Sequence, residues 1–213
     1  MRSSDTIHSV LILGGGGHAK VLIDAIRSMG TLAIQGILDP TLSPGTIVSG
    51  IAVLGNDDLL SAEGYRSCTL AIGAGSTGVS GLRKRIFEAG RARGFSFPIV
   101  THSTAWYSGS AVIGPGTQVM AGAVIQPDVR IGENVIINTS SVIEHDCVIG
   151  SHCHISPGAV LGGGVHIGEG SHIGLGARVI QGIRIGIDVL VGAGAVVIRD
   201  VPDGVVVKGV PAR

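Results

Sequence analysis

The sequence predicts an α/β unit over residues 1–102 followed by a parallel β-helix over residues 103–213. Two observations predict the second unit. Every sixth position from Ile113 to Val197 is Ile, Val or Leu, fifteen positions without an exception. The residue two before each hit is usually small or β-branched, as at Ala111, Thr117, Ala123, Ser141, Cys147, Cys153, Ala159, Ser171, Ala177 and Ala195, and the next residue is often Gly. Such a period marks hexapeptide coils. A third observation predicts the first unit: before residue 102 the sixfold pattern is absent, and strand, glycine turn and helix follow one another.

The period sets the shape of the second unit. Three six-residue flats close one triangular coil, each flat giving one aliphatic side chain to a shared interior column. Fifteen hits make about five coils, and at ~4.8 Å per strand they stack into a prism roughly 24 Å long. The interior is filled by side chains, so chemistry is expected on the outside, where prisms meet.

Composition narrows the function classes. Lys and Arg balance Asp and Glu at 15 each, charged residues make up 14% and aromatics 3%, which gives no electrostatic case for nucleic acid or an anionic membrane. The apolar run after Met1 is too short to span a bilayer and leads into glycines and an amphipathic helix, so a soluble cytoplasmic protein is expected. Cys147 and Cys153 fall on the inward small position of the repeat and, with Cys68, form neither a disulfide framework nor a metal site.

In the first unit, Ser9–Leu13 reads as a buried strand, Gly14–Gly17 as a tight turn and His18–Met29 as a helix with Val21, Leu22, Ala25 and Ile26 on one face. Ala33–Leu38 reads as a second strand ending at Asp39, Ile51–Leu54 and Thr69–Ile72 as further strands, and Gly81–Arg93 as a basic amphipathic helix. The layout is about half a Rossmann fold. Gly14 to Ala19 spells G-x-G-x-x-A between strand and helix, where free N–H groups and the helix dipole favour a phosphate. Asp39, at the second strand end, stands where an acid meets a ribose or base. A half unit suits one nucleotide, so a nucleotide-linked substrate is expected rather than NAD.

In the prism the informative stretch runs from Asn138 to Cys147. Ile143 and Cys147 point inward by phase, which leaves Glu144, His145 and Asp146 outside. Positions three hexads apart stack, so Gly162, Gly163 and Gly164 are expected directly above them, a bare backbone strip with N–H donors for an oxyanion. His145 beside Asp146 has the composition of a general base with an orienting carboxylate. His154 lies half a coil away, across the prism, and so reaches His145 only from a neighbouring subunit. His152, His166 and His172 read as solvated surface residues.

These residues resemble a known family. The prism, the GGGGHAK turn, the NTSSVIEHDCVIG and GGGVHIG segments and the terminal KGVPAR are similar to the bacterial sugar O-/N-acyltransferases, which acylate amino sugars on nucleotide carriers. The resemblance covers nearly the whole chain. It implies a homotrimer of left-handed β-helices, acetyl-CoA between neighbouring prisms and a nucleotide-linked amino sugar, a surface-glycan (lipopolysaccharide) precursor, on the first unit. It makes His145 the base and Asp146 its partner, and Asn138 a lining residue of the substrate pocket. It puts His154 and the Gly163 backbone at the acetyl thioester from the adjacent subunit, and Lys208 with the tail to Arg213 near the CoA nucleotide. Gly15, Gly16, Gly17 and His18 match the phosphate turn, Gly73 the second substrate loop, and Asp39 an acid that contacts the nucleoside. The chain departs from the family after Gly73, where its loop to Leu82 is longer than usual.

The expected reaction is direct N-acetylation without an acetyl-enzyme, because no Ser or Cys flanks His145 on the outer surface, and without a metal. O-acetylation of a sugar hydroxyl needs the same base and remains an alternative. A gamma-type carbonic anhydrase, with zinc on interface histidines, is a remote one: its pair of histidines five apart is missing among residues 145, 152, 154, 166 and 172.

Overall fold

The computed structural model describes residues 8–76, 78–79 and 81–213. Residues 1–7 and, in the long loop before Leu82, Thr77 and Ser80 lie outside them.

The first unit is a five-stranded sheet in the order β3-β4-β2-β1-β5. Its strands are β1 (His8–Leu13), β2 (Leu32–Leu38), β3 (Ile47–Val48), β4 (Ile51–Gly55) and β5 (Thr69–Ile72), with helices α1 (Gly17–Met29) and α2 (Leu82–Ala92). All pairings are parallel except β3 with β4. The sequence reading missed this antiparallel edge, because a two-residue strand is too short for periodicity to register. Val10, Leu11, Ile12 and Leu13 are fully or almost fully buried, as expected of a central strand covered on both sides. On α1 the buried residues are Ala19, Leu22, Ile23, Ala25 and Ile26, and Gly30 in the left-handed region caps its end by donating to Ile26 O. Val21, expected on that face, is 42% exposed.

From Val100 onward the chain winds as a left-handed β-helix of two-residue strands on three faces. Face I runs through Val100–Thr101, Gln118–Val119, Ile136–Ile137, His154–Ile155, His172–Ile173, Leu190–Val191 and Val206–Val207. Face II runs from Trp106–Tyr107 through Val124–Ile125, Val142–Ile143, Val160–Leu161 and Arg178–Val179 to Val196–Val197, and face III from Val112–Ile113 through Arg130–Ile131, Val148–Ile149 and His166–Ile167 to Arg184–Ile185. Within the coils, neighbours in each ladder pair in parallel three hexads on, as Ile137 with Ile155 and Ile143 with Leu161. The second residue of each strand and the small residue two before it fill the interior, including Cys147 and Cys153. Each corner turns through a left-handed residue, and from 116 to 194 every sixth position has positive φ. Gly fills most of these positions; Asp128, Asn134, Ser140, Asp146, His152 and Asp188 fill the others. Asn and Asp, and to a lesser degree the other small or polar types, tolerate this conformation.

Face I is covered over its earlier coils, from Gln118 to His172, because the first unit docks on it. Gln118 Nε2 donates to Ile72 O at 2.9 Å, Arg83 Nη2 to Asn134 Oδ1 at 3.0 Å and Gly78 N to His172 Nδ1 at 3.1 Å. The edge between faces II and III lies on the far side of the prism from this seam. Among the described residues no helix is long and apolar enough to cross a membrane.

Candidate active site

His145 sits at a corner on the edge between faces II and III. The next residue, Asp146, is the left-handed member of that corner, with φ +61°, and its Oδ2 lies 2.7 Å from His145 Nδ1. That bond raises the imidazole pKa above its ordinary value, with smaller contributions of opposite sign from desolvation and of the same sign from the charges of Asp146 and Glu144. A Cβ built on Gly163 would stand 2.7 Å from both Cε1 and Nε2 of His145, so the ring packs against a bare glycine. Gly164 N donates to His145 O at 2.8 Å, whereas among the described residues Gly163 N has no acceptor. The imidazole of His145, the carboxylate of Asp146 and a free N–H thus share one edge. The stacking of successive coils puts Gly163 beside His145 of its own chain, as the three-hexad offset predicts.

The second group lies on the seam. His154 Nε2 is 3.0 Å from Asn138 Nδ2 and its Nδ1 is 2.7 Å from Ser76 Oγ. Asn138 Oδ1 accepts from Thr139 N, which aims the amide NH₂ at the histidine and makes Nδ1 the protonated nitrogen of His154. His172 packs against it, ring centroids 4.6 Å apart and planes tilted by 53°, and takes the opposite tautomer: Nδ1 accepts from Gly78 N and Nε2–H donates to Ser156 Oγ at 2.8 Å. Burial, then the charges of His172, His18 and Arg83, pull the His154 pKa down to about 3. His18 meets Gln118 Oε1 at 2.7 Å, and burial followed by the charge of Arg83 lowers it to about 4. Burial also lowers His172, which is 9% exposed. Its reading as a solvated surface residue is therefore corrected: the hexad phase shows that it points outward but not that another unit covers it. His152 is half-buried against the Phe87 ring at 5.7 Å, and His166 is partly exposed.

The glycine turn opens beside this seam. Nothing lies within 4 Å of a Cβ built on Gly16 or Gly17, whereas Gly73 has no room for one, with Gly14 O in the way. Asp39, expected to contact the nucleoside, is held by its own loop. Its Oδ2 accepts from Gly15 N at 2.7 Å, and its Oδ1 accepts from Thr41 N, Thr41 Oγ1 and Leu42 N. Burial alone would raise this carboxyl, but those bonds outweigh it and hold the pKa below the ordinary value. Lys208 and Arg213 close the tail on each other, each N donating to the other's O at 3.1 Å. They lie about 17 Å along the axis from His145, at three hexads per coil and ~4.8 Å rise.

Sequence reasoning missed Ser76, Arg83, Gln118, Asn134 and His172. One signal was present: on α2 the buried positions are Arg83, Phe87 and Gly90, so a charged residue occupies the apolar stripe of an amphipathic helix.

A "PglD N-terminal domain" model matches residues 9–89, and a "Bacterial transferase hexapeptide (six repeats)" model matches 110–145, 131–163 and 146–181. PerB from Caulobacter crescentus, solved with CoA and GDP-perosamine, is 42% identical over 98% of this chain and 97% of that one, with a TM-score of 0.88. The chain belongs to the bacterial sugar acyltransferase family. The acetyltransferase domain of PglB from Neisseria gonorrhoeae is 37% identical over 97% and 98% of the two chains, TM-score 0.89, and WeeI from Acinetobacter baumannii AYE is 29% identical over 97% and 99%, TM-score 0.86. Among curated proteins no similar sequence is found. Membership makes this chain an acetyltransferase, and among the described residues no cluster of three or more His, Cys, Asp or Glu could hold a metal.

Proposed function

We propose that the protein N-acetylates the amino group of a nucleotide-linked amino sugar with acetyl-CoA, by direct transfer at a site shared between chains of a homotrimer. The observation that carries this reading is the His145–Asp146 pair over Gly163. The imidazole, oriented through Nδ1, takes a proton from the sugar amine at Nε2 while the amine nitrogen attacks the thioester carbonyl. The Gly163 N–H holds the oxyanion, the carbonyl re-forms, and the C–S bond breaks to release CoA thiolate. The relatives lend support: PerB was solved with CoA and GDP-perosamine, also with a single histidine replaced by Ala or Asn, and the PglB domain with acetyl coenzyme A.

The faces support a trimer. Face I is taken by the first unit, while face II offers an apolar column of Val124, Val142 and Val160 with Trp106 51% exposed at its end. Packing face II around a threefold axis brings the His145 edge of one chain to the Asn138 edge of the next, with His154 and the glycine turn behind it. The co-substrate runs along that groove from Gly163 toward Lys208 and Arg213, and the sugar's diphosphate lies on the Gly16–Gly17 amides. Such an enzyme serves surface-glycan assembly from cytoplasmic precursors.

The test is an incubation with acetyl-CoA and paired nucleotide sugars that differ only in carrying an amine or a hydroxyl at one carbon, followed by mass spectrometry. Acetylation of the amine alone is expected; acetylation of the hydroxyl form alone overturns the reading in favour of an O-acetyltransferase.

A further inference from the structure

The glycine turn and the loop after β5 touch at the point where the sheet order changes direction: Gly73 N and Ala74 N both donate to Leu13 O, at 2.8 and 3.1 Å. Ligands of open α/β sheets bind in such crevices, outside the carboxyl ends of the strands. Directly beneath lies Arg83, 6% exposed. Its Nη1 donates to Ile72 O at 3.0 Å and Ala74 O at 2.7 Å, and its Nη2 to Asn134 Oδ1 at 3.0 Å. All three acceptors are neutral, and Arg83 is in none of the ion pairs among the described residues. The carboxylate of the neighbouring turn, Asp39, is spent on its own loop. A buried charge without a counter-charge is costly, and a chain that keeps one leaves its field to act on whatever enters next to it. That field reaches both sides of the crevice, since it helps to lower His18 on the turn and His154 on the prism. Burial draws Arg83 itself down to about 9, so it stays charged at neutral pH, while His18, at about 4, is neutral.

We propose that Arg83 is the specificity-determining charge of the crevice: its uncompensated guanidinium makes binding there depend on an anionic, diphosphate-bearing ligand. The proposal rests on the reading that the first unit holds a nucleotide-linked sugar. Arg83 acts through space and through the loop it holds, not by touching the ligand, so it is a positioning and charge-setting residue rather than a catalytic one.

The charge is separable from the docking bond. Asn134→Asp keeps an acceptor for Arg83 and supplies the missing counter-charge, exchanging the amide donor to His152 Nδ1 at 2.9 Å for an acceptor that the Nδ1–H tautomer of His152 can meet, and position 134, with φ +54°, is of the kind that Asp128, Asp146 and Asp188 already occupy. Calorimetry on the full chain, at about pH 8 where an ordinary imidazole is neutral, compares the tightest of GDP, UDP and dTDP with its uncharged nucleoside. In Arg83→Met and in Asn134→Asp the ratio of diphosphate to nucleoside affinity falls about tenfold or more, the scale of a removed charge in a partly desolvated site, and Arg83→Lys restores much of it. An unchanged ratio in Asn134→Asp, or an equal loss for both probes in Arg83→Met, overturns the proposal and leaves Arg83 a structural tie; should Arg83→Met not fold, Asn134→Asp still decides. If wild type binds none of the three diphosphates, the nucleotide reading fails at its root and this proposal with it.

Discussion

His145 and its two neighbours, Asp146 and Gly163, each make a separate prediction. His145→Ala removes the proton acceptor and lowers kcat by about 10²–10⁴-fold near neutral pH, with acetyl-CoA affinity little changed; steady-state kinetics and calorimetry check the two halves. Because Asp146 raises the imidazole pKa and a general base works only unprotonated, activity is lost on the acid side of that raised value. Asp146→Asn therefore moves the acid limb of the kcat/KM profile to lower pH while reducing the maximum. Gly163→Ala pushes a methyl group into a ring that sits 2.7 Å from the Cβ position, and reduces kcat more than it reduces the melting temperature. This part of the site was legible in the sequence, since a step of one coil, three hexads, places Gly163 on His145 without any structure. The tautomers of His154 and His172 were not, because they depend on Ser76 and Gly78 from a unit that the repeat does not describe.

At the scale of elements, two features carry testable consequences. The left-handed corners recur every six residues, and Gly158, with φ +68° and no atom within 4 Å of its Cβ position, isolates the conformational cost from any packing cost. Gly158→Asn leaves the melting temperature nearly unchanged, whereas Gly158→Val destabilises the prism by at least about 1–2 kcal/mol, the cost of a left-handed L-residue. The seam between the units is the second feature. Folding holds His18 and His154 at about 4 and about 3, below the ordinary imidazole value of 6.5, so the unfolded chain takes up their protons first. The stability they contribute is present above 6.5 and is lost as pH falls toward those values. Thermal melts from pH 7 down to about pH 4 record this as a falling midpoint, and the double change His18→Gln, His154→Gln flattens the slope. The element boundaries of α1, β1 and β5 follow from apolar runs and glycines in the sequence. The docking of α2 on the prism does not, because Arg83 reads as one of four basic or apolar residues in Leu82-Arg83-Lys84-Arg85 until the helical period is laid over it.

For the molecule as a whole, the fold class was readable because one period fixes the coil, the interior column and the stacking offset together. The relation between the two units was not readable, since it depends on single outward side chains such as Gln118 and His172 meeting backbone groups of another domain. That relation separates His145 from the glycine turn: the turn lies at the seam on face I, and His145 lies on the opposite edge. On the proposed function, a site that needs both is completed by a neighbouring chain. Val142→Asp, a charge in the middle of the apolar column of face II, accordingly yields monomers by light scattering and abolishes turnover. The most direct test is complementation between two inactive chains. Gly16→Val fills the open phosphate turn, where nothing lies within 4 Å of a Cβ, and leaves His145 intact; His145→Ala removes the base and leaves the turn intact. Co-expressed with different tags and purified as hybrids, the two chains are predicted to recover roughly a third of wild-type activity per site, since a head-to-tail ring of two chains of one kind and one of the other joins an intact turn to an intact base at one site of its three. Hybrids that form and stay inactive would contradict the shared site.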